Sequence, residues 1–184
     1  MNSQTGKMLI LGGFAGKVLL ATISFFVNLI KLYSTPVIAI QSALSAVASL
    51  AIMAGFALLF LSDHNILDLV ATIGFGAISI NSIITMVMNV APGLAYNSPA
   101  LYGILNGSYS LLGFVTVIGM AAWAIRLFKE SKMIPALAIA GGYGLALLMT
   151  ILASYFGINN TLSSLVFIAS NCAYAFAAFM DYQS

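Results

Sequence analysis

The stretch MLILGGFAGKVLLATISFFVNLIKL, from Met8 to Leu32, decides the fold. Lys17 and Lys31 are its only charged residues, and apolar side chains occupy all of its faces. Alternation with period two would mark a barrel strand, whereas an apolar run of this length marks a helix. At 1.5 Å per residue it reaches about 37 Å, and the hydrocarbon core of a bilayer is about 30 Å thick. The polar residues before it give it the outline of a secretion signal. Lys17 interrupts the would-be apolar core, however, and the apolar run continues to Leu32, so a retained first span is expected. Neither end carries a lipidation pattern.

Five more stretches pass the same test, and the expected spans are Met8–Leu32, Pro36–Ser62, Ile66–Val90, Leu101–Phe128, Met133–Phe156 and Asn160–Asp181. The whole chain has the matching composition. Of 184 residues 62% are hydrophobic and 5% charged, against about 25% charged in soluble domains. So little charge cannot cover a water-exposed surface, which excludes a soluble enzyme and a disordered chain and argues against a nucleic-acid partner. Turn residues separate the spans: Ser34-Thr35-Pro36, Asp63-His64-Asn65, Pro92-Gly93 through Tyr96-Asn97-Ser98-Pro99, Lys129-Glu130-Ser131-Lys132, and Gly157 to Thr161. Short links make neighbouring spans antiparallel, so the expected fold is all-α: one integral membrane bundle of about six transmembrane helices, with the lipid bilayer as its surroundings.

Orientation follows the placement of Lys and Arg. Lys7, Arg126, Lys129 and Lys132 fall on one side and Lys31 on the other, so both termini are expected in the cytoplasm. The glycosylation patterns at Asn106-Gly107-Ser108 and Asn159-Asn160-Thr161 are read as chance matches. Inverted halves, common in transporters, leave no clear trace: the best likeness, Gly12-Gly13-Phe14 with Gly141-Gly142-Tyr143, pairs the first and fifth spans.

Lys17 is the residue that demands an explanation. A charge near the midplane costs at least about 2.5–3.5 kcal/mol on the insertion scale. It is offset by an acidic partner or a wet cavity, or avoided by snorkelling to the headgroups. Asp68, on the same side in the third span, is the expected partner, with Asp63 and Asp181 in the interface. A second set consists of amides: Asn28, Gln41, Asn81, Asn89, Asn106 and Asn171. Such groups line solute paths without titrating, and they also join helices by hydrogen bonds worth about 0.6 kcal/mol on average. Lys17, Asp68, Asn81 and Asn171 are therefore the candidates for a substrate path. Gly12 with Gly16, and Gly141 with Gly142, are the candidates for close helix packing, as are the small residues Ser42, Ser45 and Ser49.

Other chemistries find little support. Gly16-Lys17 lacks the remainder of a phosphate loop, since Leu11 and Val18 stand where Gly and Ser or Thr belong. His64 is the single histidine, read as an exposed turn residue, and Cys172 the single cysteine, read as a small buried hydrophobe. No metal, cofactor or catalytic grouping is expected. Two functions remain. One is a small channel or carrier for an ion or an uncharged polar solute, narrowly favoured by Lys17 and the buried amides. The other is a non-catalytic accessory subunit of a membrane complex or a homo-oligomer, favoured by the small-residue faces.

Overall fold

The computed structural model describes residues 3–32, 34–91, 98–156 and 160–184. The helices are α1 (Ser3–Leu29), α2 (Thr35–Asp63), α3 (Ile66–Val90), α4 (Pro99–Lys129), α5 (Met133–Phe156) and α6 (Asn160–Gln183). All six are long and apolar enough to cross a membrane, and the described residues include no strand. The protein is a multi-pass all-α membrane protein. The expected connection at Pro92-Gly93 and Tyr96-Asn97, and the turn at Gly157 to Asn159, lie outside the described residues.

Helix ends follow local chemistry. Asn65 caps α3 by accepting a hydrogen bond from the Leu67 amide at 3.0 Å, and Ser98 caps α4 through the Leu101 amide at 3.4 Å. Pro36 sits in the first turn of α2, where a missing N–H leaves nothing unpaired. Lys31, His64 and Ser131 close their helices in left-handed backbone geometry, with φ of 55°, 52° and 63°. At Lys31 and Ser131 the hydrogen bonds form the pattern usually completed by glycine. Leu32 and Lys132 donate back to the carbonyls of Val27 and Leu127, while Lys31 and Ser131 donate to Asn28 and Phe128. This explains why α1 stops at Leu29, short of the expected Leu32. At its other end α1 starts at Ser3 rather than Met8, because Gly6 and Lys7 have helical packing partners of their own.

Each helix packs against its neighbours in sequence, and α1 packs against α6, so the bundle is a closed ring in chain order. The thinnest seam is between α4 and α5. Glycines set the spacing within three successive hairpins. A Cβ on Gly55 would meet the Gly6 carbonyl oxygen at 2.6 Å, one on Gly74 the Gly119 Cα at 2.5 Å, and one on Gly142 the Ser170 carbonyl oxygen at 3.2 Å. With hydrocarbon as solvent, close backbone approach is a main source of helix attraction. Of the glycines expected at packing faces, Gly142 lies in one, and Gly16 makes ordinary contact with Ala48. Gly12 and Gly141 do not: no atom would lie within 4 Å of a Cβ at either position. Residues turn by about 100° along a helix, so Gly13, one position on, faces α2 while Gly12 faces outward. Cys172 is exposed on α6 rather than buried. In a bilayer an outward position is itself apolar, so composition does not separate the two placements.

Packing is uneven along the bundle axis. Lys7, Asp68, Arg126, Lys132 and Asp181 gather at one end, called here the charged end, which also brings the first and last helices to the same side. The core residues Ile10, Phe14, Ile52, Phe56, Leu59, Phe75, Trp123 and Leu127 lie in the half nearer that end. Among the described residues of α4 the buried side chains start at Met120, and residues such as Ile104, Leu111 and Phe114 are exposed. The opposite half is looser, and the ring there encloses space.

Candidate functional site

Three layers follow one another along the axis. The first is an ion cluster at the charged end. Arg126, 3% exposed in the last turn of α4, places Nη1 3.1 Å from Asp68 Oδ1 and Nε 2.8 Å from Glu130 Oε1. Its Nη2 lies 3.6 Å from Asp181 Oδ2 on α6. Lys132 joins Asp181 at 2.6 Å and Glu130 at 2.8 Å, and Lys7 on α1 reaches Asp181 at 3.5 Å. Three cations and three carboxylates thus balance, tying together α1, α3, α4, α6 and the α4–α5 turn. Balance is what permits such burial, because an unpaired ion there would carry its full desolvation cost. Lys132 lies between the spans. Burial lowers the pKa of its ammonium, but the hydrogen bonds it donates to Asp181 and Glu130 outweigh this and hold it above the ordinary 10.5.

The second layer is aromatic. Phe14 stacks on Trp123, with centroids 5.0 Å apart and planes at 11°, and meets the edge of Phe75 at 5.5 Å and Tyr174 at 5.7 Å. Phe56 stacks on Phe75 at 5.3 Å and meets Trp123 edge-on at 5.6 Å. Five of the six helices contribute a ring, and the offset and edge contacts suit the aromatic quadrupole. Trp123 is fully buried, and its Nε1 has no hydrogen-bond partner.

The third layer is a cavity of about 470 Å³ above this floor. All six helices line it: Phe14, Lys17 and Ser24 from α1, Gln41 and Ser45 from α2, Phe75 and Ile78 from α3, Thr116 and Met120 from α4, Tyr143 from α5, and Phe167 and Asn171 from α6. A smaller, mostly polar recess of about 290 Å³ shares Ser24, Gln41 and Ser45 and extends to Ser42, Ser82 and Thr85. At the rim Asn28 donates to Ser164 at 2.6 Å, joining α1 to α6.

Lys17 is the fifteenth of the 27 residues of α1, beside its midpoint, and faces inward. Its ammonium donates to Ser45 Oγ at 2.7 Å, and Ser45 in turn shares a hydrogen bond of 3.2 Å with Ser82. The expected pairing with Asp68 is not formed, since Asp68 belongs to Arg126. The reason is axial. Lys7 lies level with the ion cluster, and ten residues of helix place Lys17 about 15 Å above it. Asp181, expected in the membrane interface, is instead buried inside the bundle end, where Arg126, Lys132 and Lys7 neutralise it.

The four candidates for a substrate path thus separate. Lys17 and Asn171 line the cavity, Asp68 lies in the ion cluster, and Asn81 lines neither space. Asn171 directs its amide nitrogen to the Phe167 carbonyl of its own helix at 2.7 Å. Asn81 Oδ1 is buried without a partner. Gln41 is more informative than either, since its Nε2 is buried without a partner and the residue lines both spaces. A signal for it was present. Gln41, Ser45 and Ser49 recur every fourth residue, which puts a polar stripe on one face of α2. The aromatic floor left no comparable trace, because its members come from five separate spans. Among the described residues no cluster of His, Cys, Asp or Glu could hold a metal ion.

The fold and the three layers define a multi-pass membrane protein with a central cavity at mid-depth. In comparisons with known proteins, the chain matches no family model, no curated protein and no solved structure.

Proposed function

We propose that this protein is a membrane carrier that takes up a small solute in its central cavity. The observation carrying this conclusion is the cavity itself, lined by all six helices, reaching Lys17 at mid-depth and underlain by the aromatic floor and the ion cluster. An open channel would need a continuous path, and two packed layers stand between the cavity and the charged end. Moving a solute across then means parting those layers while the looser half closes, the alternating access expected of a carrier. The placement of basic residues supports an orientation with the charged end, and both termini, in the cytoplasm.

Thiol labelling tests the proposal. With Cys172 replaced by serine, a cysteine at Ser24 in sealed vesicles should react with a membrane-impermeant maleimide from the side opposite the charged end, and much more slowly from the charged end. Labelling from neither side would mean a dry bundle, and equal labelling from both sides an open pore. Either result would overturn the carrier.

A second function, assembly with other membrane subunits or with copies of itself, is favoured by a separate feature. Gly103 and Gly107 on α4 and Gly141 and Gly144 on α5 have no atom within 4 Å of a would-be Cβ, and these two helices form the thinnest seam of the ring. Such faces let a further helix approach closely. Crosslinking of the protein in native membranes, with and without Gly107→Leu and Gly144→Leu, tests it: loss of a crosslinked species in the variants is the expected result.

A further inference from the structure

We infer that the solute held in the cavity is a small organic monoanion, with its carboxylate on Lys17 and Gln41 and its apolar body against the apolar side chains of the wall. This inference rests on the carrier function proposed above and names its substrate class.

The first observation is a charge without a counter-charge. Lys17 Nζ has Ser45 Oγ as its partner, a neutral hydroxyl that accepts a hydrogen bond but balances no charge. The chain has four carboxylates, Asp63, Asp68, Glu130 and Asp181. Three are engaged in the ion cluster, and Asp63 ends α2 at the same end of the bundle. None reaches the level of Lys17. At the charged end the same sequence balances every buried ion, so an unbalanced cation in the cavity wall is a distinct local arrangement.

The second observation is a second donor. Gln41 Nε2 is buried and unpartnered, and Gln41 and Lys17 line the same cavity, with Ser45, four residues after Gln41 on α2, accepting from Lys17. A cationic donor and an amide donor on two residues that line one space complement a carboxylate, whose oxygens only accept. A buried donor left unmatched costs about 1–3 kcal/mol, which a bound acceptor would recover.

The third observation is the character of the wall. The same cavity is lined by Phe75, Ile78, Met120 and Phe167, with the aromatic floor below. An inorganic ion would leave this surface uncovered, whereas an acid with an apolar body covers it. One cation also sets the charge: a dianion would bring an uncompensated charge into a medium of low dielectric constant.

The test is calorimetric titration of the purified full-length protein in detergent with hexanoate, hexanamide, hexylammonium and chloride. The fluorescence of Trp123, the only tryptophan, serves as a second readout from the cavity floor. Hexanoate should bind saturably and at least tenfold more tightly than hexanamide, and hexylammonium should not bind. Lys17→Met should lower hexanoate affinity at least tenfold while leaving hexanamide unchanged. Gln41→Leu should lower it several-fold, and Lys17→Arg should retain it. Equal binding of hexanoate and hexanamide, undiminished binding in Lys17→Met, or chloride competing at hexanoate's own concentration would overturn the inference. Ser24 labelling separates the two proposals. If Ser24→Cys labels from one side and hexanoate fails, the carrier stands and the anion falls; if Ser24→Cys does not label, both fall.

Discussion

Replacing Arg126 by methionine should be among the most damaging single changes in this protein, and its size can be worked out from the ion cluster. Arg126 Nη1 lies 3.1 Å from Asp68 Oδ1, and Asp68 is 1% exposed. At an effective dielectric constant of about 20, that separation corresponds to a Coulomb attraction of about 5 kcal/mol before desolvation is subtracted. Asp68 has no other basic partner among the described residues, and its Oδ2 is already without a hydrogen bond. Arg126→Met therefore leaves a buried, unpaired carboxylate, with an expected cost of about 3–5 kcal/mol. Asp68→Asn is milder, because Arg126 keeps Glu130 at 2.8 Å and Asp181 at 3.6 Å, and should cost about 1–3 kcal/mol. The double variant should be more stable than the sum of the two predicts, with a coupling of about 2 kcal/mol. Reversible unfolding in mixed micelles of increasing dodecyl sulfate content, followed by Trp123 fluorescence, measures all three. A cost below about 1 kcal/mol for Arg126→Met, as for a surface pair, or strict additivity would refute the buried network.

Further outcomes follow from the same structure. Gly74→Ala places a Cβ 2.5 Å from the Gly119 Cα, where no side chain can yield, and should destabilise by about 1–3 kcal/mol, whereas Gly12→Ala and Gly141→Ala should be neutral or stabilise by up to about 1 kcal/mol. Thermal denaturation in detergent compares them, and equal effects at the three positions would contradict the packing described. The pKa of Lys132 is higher in the folded protein than its ordinary 10.5. Its contribution to stability is therefore complete below about 10.5 and declines as pH rises through the folded value. Melting temperature should fall across that alkaline range and fall less in Lys132→Gln; an identical decline in the variant would remove Lys132 from the network.

The fold was legible because lipid simplifies the code. A span must be about 20 apolar residues and must satisfy its own backbone, so each helix declares itself locally. Short turns then dictate the antiparallel order. The site was legible only in part. Lys17 stood out because a charge amid apolar residues has few explanations, and it does line the cavity. Its partner was misassigned because span order shows which side a residue is on but not its height along the axis. Asp68 and Lys17 share a side and differ by about 15 Å in depth. The rotation of each helix was equally hidden, since residues around its whole circumference are apolar, and this is why Gly12 and Gly13 could not be told apart.

Read one segment at a time, the residues are enough to show that this protein lives in a bilayer, that it crosses it as helices in an antiparallel order, and that Lys17 needs an explanation. These are properties of single segments, set by the cost of exposing charge and backbone to hydrocarbon. The tertiary structure alone decided that α1 closes on α6 to form a ring, that Phe14, Phe56, Phe75, Trp123 and Tyr174 meet as one floor, and that Asp68 answers Arg126 while Lys17 faces an open cavity. Those outcomes depend on the rotation and depth of six helices relative to one another. Such relations are set by close contacts like Gly74 against Gly119, which involve residues far apart in the chain and leave no periodic mark on either segment.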